Sequence, residues 1–86
     1  DFDEVILWNE RGELTEACTA NLVLNLAGDW VTPPVMSGLL AGAFRGDLLM
    51  KGRIQEQALT CADLGRAQGV YLINAVRKWQ DAILIP

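Results

Sequence analysis

The chain has 86 residues, of which 51% are hydrophobic and 21% charged, and its formal net charge is −4. This acidic balance argues against a nucleic-acid-binding module, which usually carries a basic face. No apolar run reaches the roughly 18 residues of a membrane span. A chain of this length forms a single domain, 1–86, and its high apolar content predicts surface that packs against further chain or a second subunit.

The cysteines give no sign of a metal site. Cys18 and Cys61 do not form a CxxC pair, and the chain has no histidine, so a zinc site is not expected. The two thiols could form one disulfide, but two buried thiols in a cytoplasmic protein are the favoured interpretation. The sequence starts without methionine or a signal-peptide pattern and enters a strand-like run at once. We therefore expect a cytoplasmic protein and an excised piece of a longer chain.

Strand patterns dominate the chain. The apolar run at 20–26 is continuous rather than alternating, which predicts a strand covered on both faces. Gly12 can supply a positive φ for the turn of a first hairpin, and a second turn is predicted at 27–29. Pro33 and the proline after it end a strand because they cannot donate to a ladder. A further turn is predicted at 77–81. In chain order, the predicted strands are 5–9, 13–16, 20–26, 30–32, 54–59, 70–76 and 82–85.

One long helix is predicted in the middle of the chain. Ser37 is a plausible N-cap for a helix over about 38–51, and Gly52 is suited to cap its C-terminus. Apolar residues recur every four positions and predict one stripe that faces a core, with Arg45 off that stripe. The stripe consists of Leu40, Phe44 and Leu48.

A second, shorter helix follows. Thr60 and Asp63 have the spacing of a capping box, which predicts a helix that ends at Gly69. The total is six or seven strands and two helices. Because the strands cluster early instead of alternating with helices, an α+β fold is favoured over a parallel α/β design.

Residue types alone indicate no self-sufficient catalytic group. Histidine, the commonest general base, is absent, and Ser37 is the only serine. The glycines at 38–42 do not form a phosphate-binding loop of the Walker type because no GK[ST] follows them. Composition and periodicity therefore predict an α+β piece without specifying its function.

The order of the short motifs is more informative. They are 9–16, Asn21-Leu22, Thr32-Pro33-Pro34, 38–42 with Arg45, 52–56, Asp63-Leu64 and 74–77. Over 5–85 this series resembles the C-terminal half of the class IV aminotransferases, which have the pyridoxal-phosphate fold type IV. The segments 7–12 and 72–79 resemble the aminodeoxychorismate lyase branch of that family. Within that branch, Trp8 and Trp79 of these segments make the chain similar to the lyase that is fused behind the chorismate-using component of 4-aminobenzoate synthase.

The resemblance implies a pyridoxal phosphate cofactor. In this family the lysine that binds the cofactor covalently lies upstream of the segment seen here, so neither Lys51 nor Lys78 is expected to be catalytic. Glu16 matches the glutamate that faces the pyridine nitrogen. A carboxylate there keeps the ring nitrogen protonated, which makes the ring a better sink for electrons.

The resemblance also implies a set of contacts to the cofactor phosphate. The backbone amides of Ala43 and Phe44 match the start of the phosphate-holding helix, although Phe44 stands where threonine is common and Ala41 where proline is common. Thr19 and Asn21 match small polar residues near the phosphate. The segment Asn74-Ala75 matches a second phosphate-side loop, again without a hydroxyl.

The activity implied for the parent enzyme is release of pyruvate from aminodeoxychorismate, which gives 4-aminobenzoate for folate synthesis. The implied assembly is a homodimer that includes the missing N-terminal part, and the fragment alone is expected to be inactive. Two alternatives stay open. One is a branched-chain or D-amino-acid aminotransferase, and the other is a non-catalytic accessory module.

Overall fold

A five-stranded sheet forms the centre of the computed structural model, which describes residues 5–83. Its middle strand, β3 (Asn21–Leu26), pairs antiparallel with β4 (Asp29–Thr32) on one side and β6 (Gly69–Asn74) on the other. The strand β7 (Lys78–Asp81) continues the sheet antiparallel to β6, and the short β5 (Gln55–Glu56) pairs in parallel with β4. The strand order is β5-β4-β3-β6-β7.

The remaining elements cover the two faces of this sheet. A separate antiparallel hairpin joins β1 (Ile6–Trp8) to β2 (Leu14–Ala17). The crossover from β4 to β5 contains a 3-10 turn (Val35–Ser37) and helix α1 (Ala43–Met50), and helix α2 (Cys61–Arg66) leads into β6. The predicted α+β fold with seven strands and two helices is confirmed.

Apolar side chains of β3 point alternately into two cores. Leu22 and Leu24 belong to the core under the β1–β2 hairpin and α2, whereas Val23 belongs to the core under α1. All three side chains are fully buried. The prediction from the continuous apolar run, a strand covered on both faces, is therefore confirmed.

Local turn and cap signals are confirmed at several positions. Gly12 has φ +79° in the first hairpin turn, and Ala27 and Gly28 both have positive φ in the turn between β3 and β4. The capping box of α2 forms, with Thr60 as the N-cap and Asp63 as its partner. The helix itself ends at Arg66, three residues before the predicted end.

The predicted start of the long helix is wrong. Ser37 closes the 3-10 turn instead of capping a helix, and Gly38 then takes φ +101°, a left-handed conformation that no helix continues through. Helix α1 begins only at Ala43, after Gly42. Leu40 consequently lies in a loop and is 81% exposed, so the predicted stripe is wrong at that position.

Burial within α1 also differs from the prediction. Arg45 was expected off the buried stripe, yet it is only 3% exposed. Leu48 is buried as predicted, and Phe44 packs at the edge of the same core. Helix α1 begins five residues later than predicted. Contacts with the β4 and β5 region decide which face of the helix is covered.

Four further predictions need correction. The turn placed at 77–81 is strand β7, and the strand placed at 54–59 shortens to the two residues of β5. Ala82 and Ile83 are not part of a strand, and the rest of the strand predicted at 82–85 lies outside the described residues. Both cysteines, expected to be buried, are exposed and free.

Candidate functional site

One end of the sheet gathers most of the polar residues that the sequence singles out. Asn21 begins β3 and stands one residue pair from Asn74, because Asn21 pairs with Ile73 of β6. The Nδ2 atom of Asn74 donates to the carbonyl oxygen of Thr19 at 3.3 Å. Thr19 lies in the short connection after β2, so three predicted site residues meet at this end.

Asn74 also shapes the loop after β6. Its Oδ1 atom accepts hydrogen bonds from the backbone amides of Val76 at 3.0 Å and Arg77 at 2.7 Å. This arrangement is an asparagine turn, in which the side chain takes the place of a backbone acceptor. Ala75 is exposed at the tip of that turn.

The loop before α1 is held against the same end by two side chains. Oε1 of Glu16 accepts a hydrogen bond from the backbone amide of Leu40 at 3.1 Å. Nδ2 of Asn21 donates to the carbonyl oxygen of Leu40 at 2.9 Å, and its Oδ1 accepts from the amide of Gly42 at 3.3 Å. Glu16 and Asn21 thus fix the path of the chain into the helix.

The N-terminus of α1 has no side-chain cap. Gly42 is the N-cap residue, and the first turn contains no acidic residue. The first helical hydrogen bond runs from the amide of Gly46 to the carbonyl of Gly42 at 3.0 Å. The amides of Ala43 and Phe44 therefore have no acceptor within the helix, and they lie at the positive end of its dipole.

A polar clamp missed by the sequence analysis holds the 3-10 turn that precedes this loop. Glu13 accepts hydrogen bonds from Asn9, Arg11 and Ser37. Arg11 also donates to the carbonyl oxygen of Met36 at 3.2 Å. Hydrogen bonding from Asn9, with a smaller contribution from Arg11, lowers the pKa of Glu13 below its ordinary value. The available signals were the carboxylate at the end of a hairpin turn, the basic residue two positions before it, and the motif 9–16 that contains both.

Arg45 is a second feature that the sequence analysis missed. Its Nη2 atom donates to the carbonyl oxygen of Pro33 at 3.0 Å and to Oε2 of Glu56 at 2.6 Å. The pattern gave no signal for this contact, because an arginine between apolar residues of a helix usually marks its solvent side.

Both lysines weighed as reactive groups are exposed and already engaged. Nζ of Lys51 forms an ion pair with Asp47 at 3.1 Å. Nζ of Lys78 lies 4.9 Å from the centroid of the Phe44 ring, in cation–π geometry. Both ammoniums are exposed to solvent, whereas a lysine that forms an imine is usually desolvated or placed beside another cation.

The described residues contain a further cavity. Its volume is about 390 Å³, and it is lined by Trp30, Arg53, Tyr71, Trp79 and Asp81. None of these is among the residues predicted to bind the cofactor. Within residues 5–83, no cluster of three histidine, cysteine or acidic side chains could hold a metal ion. Neither helix in that range combines the length and apolar character needed to cross a membrane.

Comparison with known proteins decides the family. The family model of the class IV aminotransferases matches residues 1–85. The chain belongs to this family. Class IV aminotransferases and the related aminodeoxychorismate lyases are in general pyridoxal-phosphate enzymes.

Similarity to individual relatives covers nearly all of this chain and less than half of theirs. A Schizosaccharomyces pombe protein assigned as an aminodeoxychorismate lyase is 36% identical over 85 residues, which are 95% of this chain and 37% of that protein. A structure from Mesorhizobium loti assigned as an amino-acid aminotransferase has a TM-score of 0.92 and 37% identity, with coverage of 96% of this chain and 41% of the other.

A third relative comes from the lyase branch. A structure from Legionella pneumophila assigned as a 4-amino-4-deoxychorismate lyase has a TM-score of 0.88 and 28% identity, covering 93% of this chain and 32% of that one. Relatives assigned as lyases and as aminotransferases therefore share this fold. Fold alone does not separate the two reactions.

Proposed function

We propose that this chain is the C-terminal part of a pyridoxal-phosphate enzyme and that the start of α1 binds the cofactor phosphate. The observation that carries the proposal is the uncapped N-terminus of α1, whose approach loop is fixed by Asn21. An acidic residue in the first turn would repel a phosphate, and α1 has none there. The residues present therefore fit the group.

The phosphate would be held mainly by backbone amides. Ala43 and Phe44 supply amides without helical acceptors, and a helix N-terminus favours an anion. The Asn74 turn presents the backbone at Ala75 from the neighbouring strand end, next to Thr19. Asn21 uses both ends of its amide on the loop, so its part is to hold the loop in place.

Glu16 would face the pyridine nitrogen and keep a proton on it. The cofactor supplies an electron sink to the reaction, and a protonated ring is the stronger sink. The hydrogen bond from the Leu40 amide fixes the Glu16 carboxylate in position. The exposed side chain of Leu40 offers an apolar surface beside that carboxylate for a flat ring.

The favoured reaction is that of an aminodeoxychorismate lyase, in which pyruvate is released and 4-aminobenzoate is formed for folate synthesis. The similarity to the S. pombe protein and the Legionella structure supports this choice. The intact enzyme would be a cytoplasmic homodimer, with the missing N-terminal part supplying the reactive lysine. Fusion behind the chorismate-using component of 4-aminobenzoate synthase belongs to the same proposal.

An aminotransferase acting on branched-chain or D-amino acids is the second candidate. The 37% identity to the Mesorhizobium loti structure supports the aminotransferase part of this candidate. Two assays on the full-length protein distinguish the reactions. Pyruvate release from aminodeoxychorismate without an amino acceptor indicates the lyase, and amino transfer to a 2-oxo acid indicates the aminotransferase.

The test of the cofactor site is Glu16→Gln in the full-length protein. Removing the charge should lower kcat on the order of a hundredfold while the affinity for pyridoxal phosphate changes little, as expected for a group that acts on a proton. Glu10→Gln, an exposed turn residue, is the matched control and should leave both unchanged. Full turnover in Glu16→Gln would refute the assignment.

A third possibility is that the chain is a non-catalytic accessory module. The gene decides this point, since the enzyme needs a lysine upstream in the same reading frame. The 86-residue chain alone is expected to be inactive and to show no visible absorption band from a lysine-linked cofactor. Appearance of such a band would mean that Lys51 or Lys78 reacts.

A further inference from the structure

A buried charge lies in the first turn of α1. Arg45 is the third residue of the helix, directly after Ala43 and Phe44, and its side chain is only 3% exposed. Its guanidinium contacts the carbonyl oxygen of Pro33, just past the end of β4, and the carboxylate of Glu56 in β5. The start of the helix is thus tied to the β4–β5 edge of the sheet.

Stability alone does not account for this contact. Removing a guanidinium from water costs free energy that an ion pair only partly returns, and apolar replacements of buried ion pairs are often neutral or stabilising. The cost is higher here, since Nε of Arg45 is buried without a hydrogen-bond partner in the described part of the chain. Glu56 is 45% exposed, which screens the attraction further.

The contact does constrain geometry. Asn21 holds Gly42 and Leu40 from the β3 side, and Arg45 holds the first helical turn from the β4–β5 side. These two attachments flank the amides of Ala43 and Phe44. A guanidinium is planar and reaches two acceptors at once, which fixes direction as well as distance.

We infer that Arg45 is a positioning residue that sets the direction of the α1 N-terminus so that its amides converge on the phosphate of the cofactor. The inference rests on the proposed function. It predicts that loss of Arg45 weakens recognition of the phosphate group and leaves recognition of the rest of the cofactor intact.

The experiment compares two ligands on the full-length protein. Dissociation constants are measured for pyridoxal phosphate and for pyridoxal, which lacks the phosphate, in the wild type and in Arg45→Met. Wild type should prefer pyridoxal phosphate strongly. In Arg45→Met the preference should fall about tenfold, by analogy with residues that orient the ligands of a metal, while the affinity for pyridoxal changes less than about twofold.

Arg45→Lys serves as the second variant, since lysine keeps the charge but lacks the rigid plane that holds Nη2 of Arg45 between its two acceptors. It should give an intermediate ratio, and it carries the comparison if Arg45→Met does not fold. Arg66→Met, an exposed arginine of α2, is the matched control and should match wild type.

The outcomes separate the two proposals. An unchanged preference for the phosphate in folded Arg45 variants overturns the inference and leaves the proposed function standing. A wild-type protein with no preference for pyridoxal phosphate over pyridoxal overturns the proposed function, and the inference falls with it.

Discussion

Oδ1 of Asn21 accepts a hydrogen bond from the backbone amide of Gly42 at 3.3 Å, and a Cβ atom built on residue 42 would lie only 2.6 Å from that oxygen. No side chain other than hydrogen fits there unless Asn21 moves. The requirement for glycine at this position therefore comes from close packing, since Gly42 has an ordinary φ of −65°.

Gly42→Ala should displace Asn21 or the start of α1. We expect the affinity of the full-length protein for pyridoxal phosphate to fall about tenfold, since the affected residues orient the binding amides. Titration of the cofactor measures this directly. Gly46→Ala is the control, because it lies in the interior of α1 with no atom within 4 Å of the new Cβ. That change should stabilise the protein by about 0.5–1 kcal/mol. Equal affinity of the two variants for pyridoxal phosphate would contradict the packing interpretation.

The capping box of α2 gives a second prediction. Thr60→Ala removes the hydroxyl that caps the helix, and the loss should lower the free energy of unfolding by about 1 kcal/mol. Thr60→Ser keeps a hydroxyl and should stay close to wild type. Urea denaturation followed by circular dichroism measures both. A Thr60→Ala protein as stable as the serine variant would show that the box contributes nothing.

Asp63 makes stability depend on pH in the acid range. The backbone amide of Thr60 and then the guanidinium of Arg66 hold the pKa of Asp63 below its ordinary value. An aspartate in the unfolded chain has a pKa of about 3.9, so as pH falls it binds its proton before Asp63 of the folded protein does. The stabilisation by Asp63 is therefore complete above that pKa and is lost as pH drops through the lower folded-state pKa.

The measurement is urea denaturation at pH 6 and near pH 3. Asp63→Asn should be less stable than wild type at pH 6, and the difference between the two proteins should shrink at the lower pH. Asp29→Asn, an exposed residue at the start of β4, is the control and should follow wild type at both values. If the difference in unfolding free energy between Asp63→Asn and wild type were the same at both pH values, Asp63 would not be the source of the pH dependence.

Gly69 leaves room for the side chain of Tyr71, two residues further along β6. A Cβ atom at this position would lie 2.6 Å from Oη and 2.8 Å from a ring carbon of Tyr71. The ring is 5.1 Å from that of Trp30 and 5.8 Å from that of Trp79. Gly69→Ala should force the ring aside and destabilise the protein by about 1–3 kcal/mol.

The aromatic signal in near-ultraviolet circular dichroism should change with it, because the coupling between these rings depends on their arrangement. Gly65→Ala in α2, where a Cβ meets no atom within 4 Å, should leave the spectrum unchanged. An unaltered spectrum in Gly69→Ala would mean that the ring adjusts without cost.

Local signals predicted β3, the first hairpin turn and the cap of α2, and contacts distant in sequence decided much of the rest. The apolar run of β3, the Gly12 turn and the box at Thr60 each carry their information within a few residues. The start of α1 does not. Nothing near Gly38 shows that the side chains of Glu16 and Asn21 will hold Leu40 in a loop, so a pattern based on periodicity extended the helix too far.

The candidate site also contains residues that local motifs predict and contacts that only the folded chain creates. The motif series predicted Glu16, Asn21 and Asn74, which the fold brings to one end of the sheet. The motif series also contains Arg45, but its burial and contacts escaped prediction, because Glu56 and the carbonyl of Pro33 lie eleven and twelve positions away. A helical pattern reports only the faces of one helix, and the contact joins the helix to two strands.

The pairing of β3 with β6 has a consequence for how the protein is made. During synthesis β3 leaves the ribosome before α1, β5 and α2, and its partner strand emerges after all of them. Until then β3 has one open edge and an apolar face, which is a surface prone to wrong pairing with other chains. Nascent chains halted before β6 should therefore depend on chaperones, and release from that dependence should coincide with the appearance of β6.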